Sequence, residues 1–330
     1  MKTKNLGRTG LKVTELCLGT MTFGHQCDEK TSFAILDKAA ERGVNFIDTA
    51  DVYPVPPTVD TAGRTEEIIG KWLKGRRDRF VLATKCRNKV GPDVNDEGLS
   101  RRHILKAVED SLRRLQTDYI DLYQTHGPDA ATPLDETLSA LDHLVRQGKV
   151  RYLGCSNHPA YLVALALGTS QSRGWHRYDC VQPRYNLLFR DIEAELMPLC
   201  RDQGLGIISY NPLAGGFLTG RYASLETPPE GTRFNLGVTG KLYRDRYWQE
   251  AQLAVVRELN AFFHARGKSL AQAAIAWVLA QPGITSAILG ASKPEQLEVS
   301  LRADELTLDA EEMTRLNDAW YRLPRTPTPK

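Results

Sequence analysis

The sequence lacks most features that mark secreted, membrane-spanning or strongly charged proteins. Its six cysteines form no C-x-x-C pair, which argues against a paired metal or redox motif. No stretch reaches the roughly 18 uninterrupted apolar residues of a membrane span, and the N-terminus MKTKNLGRTG has no apolar signal core. The 43 basic and 40 acidic residues nearly balance, so no nucleic-acid or membrane partner is expected. These absences predict a cytoplasmic protein.

Several common catalytic signatures are also missing. No G-x-G-x-x-G follows a predicted strand, so the Rossmann dinucleotide fingerprint is absent. No tyrosine is followed four positions later by lysine, which is the pair used by short-chain dehydrogenases. No H-E-x-x-H occurs, and the H-x-C at His25 and Cys27 does not by itself form a metal site. We therefore predict no metal.

Eight short apolar runs predict eight strands. They lack strict apolar/polar alternation, which favours strands covered on both faces. Helical patterns separate most of them at the roughly 25–40-residue spacing of βαβ units, which predicts a parallel sheet. We expect an α/β fold closed as a (β/α)8 TIM barrel, with an open doubly wound sheet as the alternative. The predicted strands are residues 16–18, 45–47, 80–84, 119–123, 151–154, 180–181, 206–209 and 286–289.

The other segments are expected to decorate a single barrel domain over residues 1–330. A long Gly/Pro-rich segment interrupts the regular spacing, and loops of that length are usually functional. The additions are an N-terminal β-hairpin (1–14), the long cofactor and substrate region (211–268), an extra C-terminal helix (311–321) and a frayed tail (324–330).

Two helix starts can be read from capping residues. Thr132 is the expected N-cap of a helix whose first residue is Pro133. Thr65 is the expected cap of a helix that carries Glu66 and Glu67 in its first turn, where they favour the helix dipole.

Four polar side chains follow predicted strands two, three and four, where the catalytic groups of a barrel collect. Their chemistry suits carbonyl reduction, which needs a hydride at carbon and a proton at oxygen. Tyr53 can donate the proton, and Lys85 should lower its pKa from about 10. Asp48 would keep a buried Lys85 charged. His126, as a neutral imidazole, can orient the carbonyl oxygen.

At these residues the chain resembles the aldo-keto reductase superfamily, and the resemblance spans nearly all of it. The resemblance implies a (β/α)8 barrel, NADP(H) as cofactor, and a catalytic tetrad on Asp48, Tyr53, Lys85 and His126. It is carried, in family order, by FIDTADVY, VLATK, DYIDLYQTHGPD, KVRYLGCSN, VQPRYNLL, IISYNPLAGGFLTG and GASKPEQL.

The resemblance also implies cofactor contacts at the same mouth of the barrel. Ser156, Asn157 and Gln182 match residues that hold the nicotinamide carboxamide, and Tyr210 matches the aromatic residue stacked on its ring. The other implied contacts are Thr20 and Met21 after the first strand, Asn211, Leu213, Gly215 and Arg221 over the pyrophosphate, and Gly290, Ser292, Lys293 and Gln296 at the adenosine phosphate.

The adenosine end also has a physical argument of its own. Phosphate sites in barrels often form after the last strands, at a helix N-terminus. Lys293 beside Ser292 there favours a 2′-phosphate, and hence NADP over NAD. Two positions depart from the family pattern. Ser300 stands where Asn is common, and Pro54 stands where Gly is common, in a YPVPP loop that resembles a subset of bacterial members.

Three functions follow as hypotheses. The first is NADPH-dependent reduction of a small or medium aldehyde or ketone. The second is an NADPH-binding regulatory subunit with slow turnover. The third is a barrel hydrolase or isomerase that uses carboxylates such as Asp48 and Asp51, although this leaves Lys85, His126 and Tyr210 without a shared purpose. Homo-oligomerisation stays open, since relatives range from monomers to rings.

Overall fold

Eight parallel strands close into a barrel whose wall follows the order of the chain, with the last strand paired to the first. The structure is a computed structural model and describes residues 1–324. The predicted (β/α)8 barrel is confirmed, because closure rules out an open sheet. The barrel strands are β3 (Leu16–Gly19), β4 (Phe46–Asp48), β5 (Val81–Cys86), β6 (Ile120–Thr125), β7 (Val150–Ser156), β8 (Tyr178–Gln182), β9 (Gly206–Ser209) and β10 (Ile284–Gly290).

The predicted hairpin precedes the barrel as two antiparallel strands, β1 (Thr3–Asn5) and β2 (Lys12–Thr14). Its tip packs against the chain just before β9: the Arg8 amide donates to the Gly204 carbonyl at 2.8 Å. Gly7 has φ +58°, and a Cβ there would lie 2.5 Å from the Gly204 oxygen. Glycine is therefore required where the hairpin covers the N-terminal end of the barrel.

Helices cover the outside of the barrel. Helices that connect neighbouring strands, such as Arg101–Leu115 and Leu134–Arg146, pack an apolar face against the strands, as the amphipathic patterns predicted. None within residues 1–324 is both long enough and apolar enough to cross a membrane. The helices are α1 (Glu29–Glu41), α2 (Arg64–Leu73), α3 (Arg101–Leu115), α4 (Leu134–Arg146), α5 (Ala160–Arg173), α6 (Leu196–Gln203), α7 (Gly237–Tyr247), α8 (Glu250–Ala265), α9 (Leu270–Ala280), α10 (Pro294–Leu301) and α11 (Ala310–Tyr321).

Both predicted N-caps are wrong. Pro133 takes the N-cap position of α4, and the Thr132 hydroxyl donates to Asp129 at 2.7 Å within the preceding loop. Thr65 lies inside α2, which begins after Gly63, and its hydroxyl donates to the Phe23 carbonyl at 2.8 Å. In each case a loop or tertiary contact engages the hydroxyl that local sequence assigned to the cap.

The long segment after β9 folds over the end of the barrel where the strands terminate. It contains 3-10 helices at Ala214–Thr219 and Arg233–Asn235, followed by α7 and α8. Trp248 holds this segment together: its indole N–H donates to the Leu225 carbonyl at 3.0 Å, and its ring packs on Phe217, Tyr222 and Phe234. The predicted C-terminal helix is α11, and residues 325–330 of the predicted tail lie outside the described residues.

Candidate active site

Strand periodicity builds a polar layer inside the barrel. Successive strand residues point to opposite faces, so residues two apart share a face. The interior contains an apolar layer to which β4, β5, β6 and β8 contribute Phe46, Ala83, Leu122 and Cys180. Two residues further along the same strands come Asp48, Lys85, Gln124 and Gln182, all buried and hydrogen-bonded to one another.

The centre of this layer is an ion pair between Lys85 and Asp48, in which the lysine is fully shielded from solvent. Lys85 is 0% exposed, and its Nζ donates to Asp48 Oδ2 at 2.6 Å and to the Thr49 carbonyl at 2.7 Å. Asp48 Oδ1 accepts hydrogen bonds from Gln182 at 2.8 Å and Gln124 at 3.2 Å. Burial alone would lower the pKa of Lys85, but Asp48 and then Tyr53 oppose it and the net pKa lies above its usual value. Lys85 is therefore a fixed ammonium at neutral pH.

Tyr53 lies in the loop after β4, over this ion pair. Lys85 Nζ is 5.3 Å from the centroid of its ring. The sequence predicted a lowered pKa for this phenol, and that net direction is wrong. Burial raises the pKa of Tyr53 above its usual value, and the opposing effect of Lys85 does not overcome burial. Lys85 acts in the predicted direction, but the protonated phenol is the stable form at neutral pH.

His126 follows β6 and meets Tyr53 edge-on, with ring centroids 5.7 Å apart. Burial, followed by the charges of Lys85 and Arg87, lowers its pKa well below the usual value. The imidazole is therefore neutral at physiological pH, as predicted. Asn88, which the sequence did not single out, contacts the ring: its Nδ2 lies 3.2 Å from His126 Nδ1.

The residues predicted to contact the nicotinamide lie close to His126 and Asp48. The Tyr210 hydroxyl donates to Asn157 Oδ1 at 2.8 Å. Asn157 Nδ2 donates to the Ser156 hydroxyl and to the His126 carbonyl, each at 3.0 Å. Gln182 bonds directly to Asp48, a member of the predicted tetrad. The structure thus brings these residues together beside His126.

The predicted contacts after the first strand differ from one another. Thr20 is buried, and its hydroxyl donates to the Asp48 carbonyl at 2.9 Å, so this side chain supports the tetrad. Met21 reaches the mouth, where its sulfur contacts Arg233 at 3.0 Å.

The predicted phosphate-side residues form two groups at the mouth. Asn211 has φ +65°, and its amide donates to the Tyr247 hydroxyl at 3.0 Å. Its Oδ1 accepts a hydrogen bond from the Gly215 amide. This bond closes a tight turn that contains Leu213. After β10, Gln296 Oε1 accepts from both the amide and the hydroxyl of Ser292. Ser300 bonds back to the Gln296 carbonyl.

Three cations at this mouth have no acidic partner within residues 1–324. Arg221 donates to the Tyr222 hydroxyl at 2.6 Å, beside Gly216. Arg233, which the sequence missed, has one guanidinium nitrogen 4.0 Å from where a Cβ on Gly290 would lie. Lys293 is the N-cap residue of α10. Unpaired guanidinium and ammonium groups fit a ligand that carries phosphates. Residues 1–324 contain no cluster of three or more His, Cys, Asp or Glu side chains that could hold a metal ion.

Comparison with known proteins agrees with the fold. A family model described as "Aldo/keto reductase family" matches residues 15–321. An oxidoreductase of Bacillus subtilis, YrpG, described as uncharacterized, is 41% identical over 95% of this chain and 94% of its own length. A probable voltage-gated potassium channel subunit beta of Arabidopsis thaliana is 37% identical over 92% and 91%. A versiconal hemiacetal acetate reductase of Aspergillus parasiticus is 33% identical over 97% of each chain.

The chain therefore belongs to the aldo/keto reductase family. Members of this family are generally oxidoreductases that act on small carbonyl compounds with a nicotinamide cofactor.

Proposed function

We propose that this protein reduces an aldehyde or ketone to an alcohol with NADPH, in a reversible reaction. The observation that supports this most is the grouping of a protonated phenol, a buried ammonium and a neutral imidazole at one mouth of the barrel. Tyr53, Lys85 and His126 supply these groups, and Asp48 fixes the ammonium. A carboxylate hydrolase would need none of the three.

Each residue has one task in this proposal. NADPH, when bound, supplies the hydride to the carbonyl carbon. Tyr53 gives its hydroxyl proton to the carbonyl oxygen, and the charge of Lys85 stabilises the phenolate left behind. His126 donates a hydrogen bond to the same oxygen. The raised pKa of Tyr53 keeps the donor loaded before the reaction, and the phenolate regains a proton from solvent afterwards.

We propose that the phosphates bind at three cations of the mouth that have no acidic partner within residues 1–324. Arg221 and Arg233 are the candidates for the pyrophosphate, and Lys293 with Ser292 for the 2′-phosphate. The nicotinamide would lie over Tyr210, beside Asn157. The six cysteines are all buried free thiols, which suits the reducing cytoplasm in which we place the activity.

The test is loss of NADPH absorbance with a panel of aldehydes and ketones, for the parent and for Tyr53→Phe. Proton donation by a positioned side chain contributes about 10²- to 10⁴-fold, so we expect a loss of that size with NADPH binding retained. Tyr161→Phe is the matched control, because Tyr161 is 70% exposed on α5, and it should behave as the parent. Tyr53→Phe turnover near the parent rate would reject Tyr53 as the proton donor.

The regulatory alternative is favoured by one observation, the similarity to a plant channel subunit. Tight NADPH binding without appreciable turnover on any carbonyl compound would support that role. Absence of NADPH binding would reject both proposals.

A further inference from the structure

The loop after β5 presents an amide to the imidazole of His126. Asn88 Nδ2 lies 3.2 Å from His126 Nδ1, and Asn88 Oδ1 accepts from a guanidinium nitrogen of Arg87 at 3.3 Å. A guanidinium can only donate, so it must face the oxygen of the amide. The amide nitrogen therefore faces the ring. This fixes which atom of Asn88 contacts His126.

The direction of that contact determines the tautomer of the ring. An amide nitrogen cannot accept a hydrogen bond, so His126 Nδ1 must accept. A neutral imidazole carries a single ring proton, which then resides on Nε2. The tautomer is thus set by a neighbour rather than by the histidine itself.

Arg87 holds this arrangement in place. Its Nε donates to the Pro128 carbonyl at 3.1 Å, and its own carbonyl accepts from the Gly98 amide at 2.7 Å. Its φ of +146° is unusual for a residue with a side chain. These contacts connect the loop after β5 to the loop that carries His126. The side chain of Asn88 is therefore oriented from one side by Arg87 and from the other by the ring.

The groups facing the ring are cationic or neutral. The charges of Lys85 on β5 and of Arg87 both act on the imidazole, and the ring of Tyr53 meets its edge. No carboxylate within residues 1–324 bonds to the imidazole, so the ring remains uncharged and keeps one proton.

We propose that Asn88, oriented by Arg87, is a positioning residue that fixes the Nε2–H tautomer of His126 and leaves that N–H free to bond a carbonyl oxygen. The tautomer follows from the contacts alone. Its use in the reaction rests on the proposed function.

The first test is ¹⁵N NMR of histidine-labelled protein, with His126→Ala used to identify the resonances. The parent should show protonated Nε2, unprotonated Nδ1 and no titration of the ring between about pH 5 and 8. Asn88→Asp keeps the shape but offers only acceptors, so it should place a proton on Nδ1 and bring the ring pKa into that range. Asn5→Asp, on the hairpin at the other end of the barrel, is the matched control and should leave the signature unchanged.

The second test is the pH profile of kcat/KM with NADPH and an aldehyde. In Asn88→Asp the Nε2 proton is lost when the ring titrates. We expect kcat/KM to fall about 10- to 100-fold as pH rises through the NMR midpoint, since one hydrogen bond to the substrate is removed. The parent should show no such transition.

The outcomes separate the two proposals. Protonated Nδ1 in the parent would overturn the tautomer, with or without activity. If Asn88→Asp does not fold, Asn88→Ala should instead show a mixture of both tautomers, and a pure Nε2–H signature there would overturn the role of Asn88. A shifted tautomer without a matching kinetic transition would overturn the use of this N–H in catalysis. A parent with the Nε2–H signature but no turnover would refute the proposed function and leave the tautomer assignment standing.

Discussion

Replacing Lys85 by methionine should destabilise the protein, and the loss should depend on the charge of its partner Asp48. The ammonium is fully buried and bonds to Asp48 at 2.6 Å and to the Thr49 carbonyl at 2.7 Å. Methionine preserves most of the volume but leaves the carboxylate of Asp48 without its counter-charge. Removing one member of a buried ion pair costs about 3–5 kcal/mol. Gln124 and Gln182 still bond to the other carboxylate oxygen, so we expect a loss of about 3–4 kcal/mol.

Thermal and urea unfolding measure this loss directly. In a chain of 330 residues about 0.7 kcal/mol corresponds to about 1 °C in Tm, so Tm should fall by about 4–6 °C. Lys106→Met is the matched control, because Lys106 is 55% exposed in its pair with Asp110. Its effect should stay within about 0.5 kcal/mol.

A double-mutant cycle with Asp48→Asn then isolates the interaction. If the loss comes from the unpaired charge of Asp48, the loss of unfolding free energy in the Lys85→Met/Asp48→Asn double variant should be about 1–3 kcal/mol smaller than the two single losses added together. Single losses that add within about 0.5 kcal/mol would refute the reasoning, because they would show that the two groups do not depend on each other.

Two further predictions concern charges at the mouth and in the core. Lys293→Glu should weaken binding of NADPH about 10- to 100-fold and binding of NADH much less. Fluorescence titration measures both affinities, with Lys30→Glu on α1 as the control. Equal weakening of the two cofactors would remove the 2′-phosphate assignment. Asp51 is fully buried, and burial, followed by the nearby Glu66, raises its pKa well above the usual value. The folded protein therefore retains a proton that the unfolded chain releases above about pH 4, and this contribution to stability is lost as pH rises. Asp51→Asn should gain stability over the parent between pH 5 and 8 in urea unfolding, whereas Asp60→Asn should not, and a pH-independent difference would contradict the assignment.

The barrel could be predicted from sequence because burial on both faces leaves a simple mark. Each strand contains a short, mostly apolar run without strict alternation, and the helices between them carry one apolar face. The helix starts failed for a different reason. Thr65 and Thr132 are sound capping residues locally, but partners remote from the helix start or within the preceding loop engage their hydroxyls. Capping rules describe an isolated helix and cannot include such competitors.

The pKa of Tyr53 shows the same limit in electrostatics. The sequence identifies the cation near the phenol and the sign of its effect, but it does not give the depth of burial. Here burial is the larger of the two, so the net direction reverses. Any prediction that balances desolvation against one charge needs the packing around the group as well as its neighbours.

The side chains that the sequence missed divide by whether a periodic element carries them. Gln124 was within reach of sequence reasoning, because it stands two residues after an inward-facing leucine on β6, as Lys85 stands two residues after Ala83 on β5. Asn88 lies in a loop and Arg233 begins a short 3-10 helix, so the alternation of strand faces applies to neither. The proximity of Asn88 to the site depends on a local backbone conformation, the positive φ of Arg87. Strand periodicity can therefore predict the interior polar layer of a barrel, whereas the groups that tune it from the loops require the folded structure.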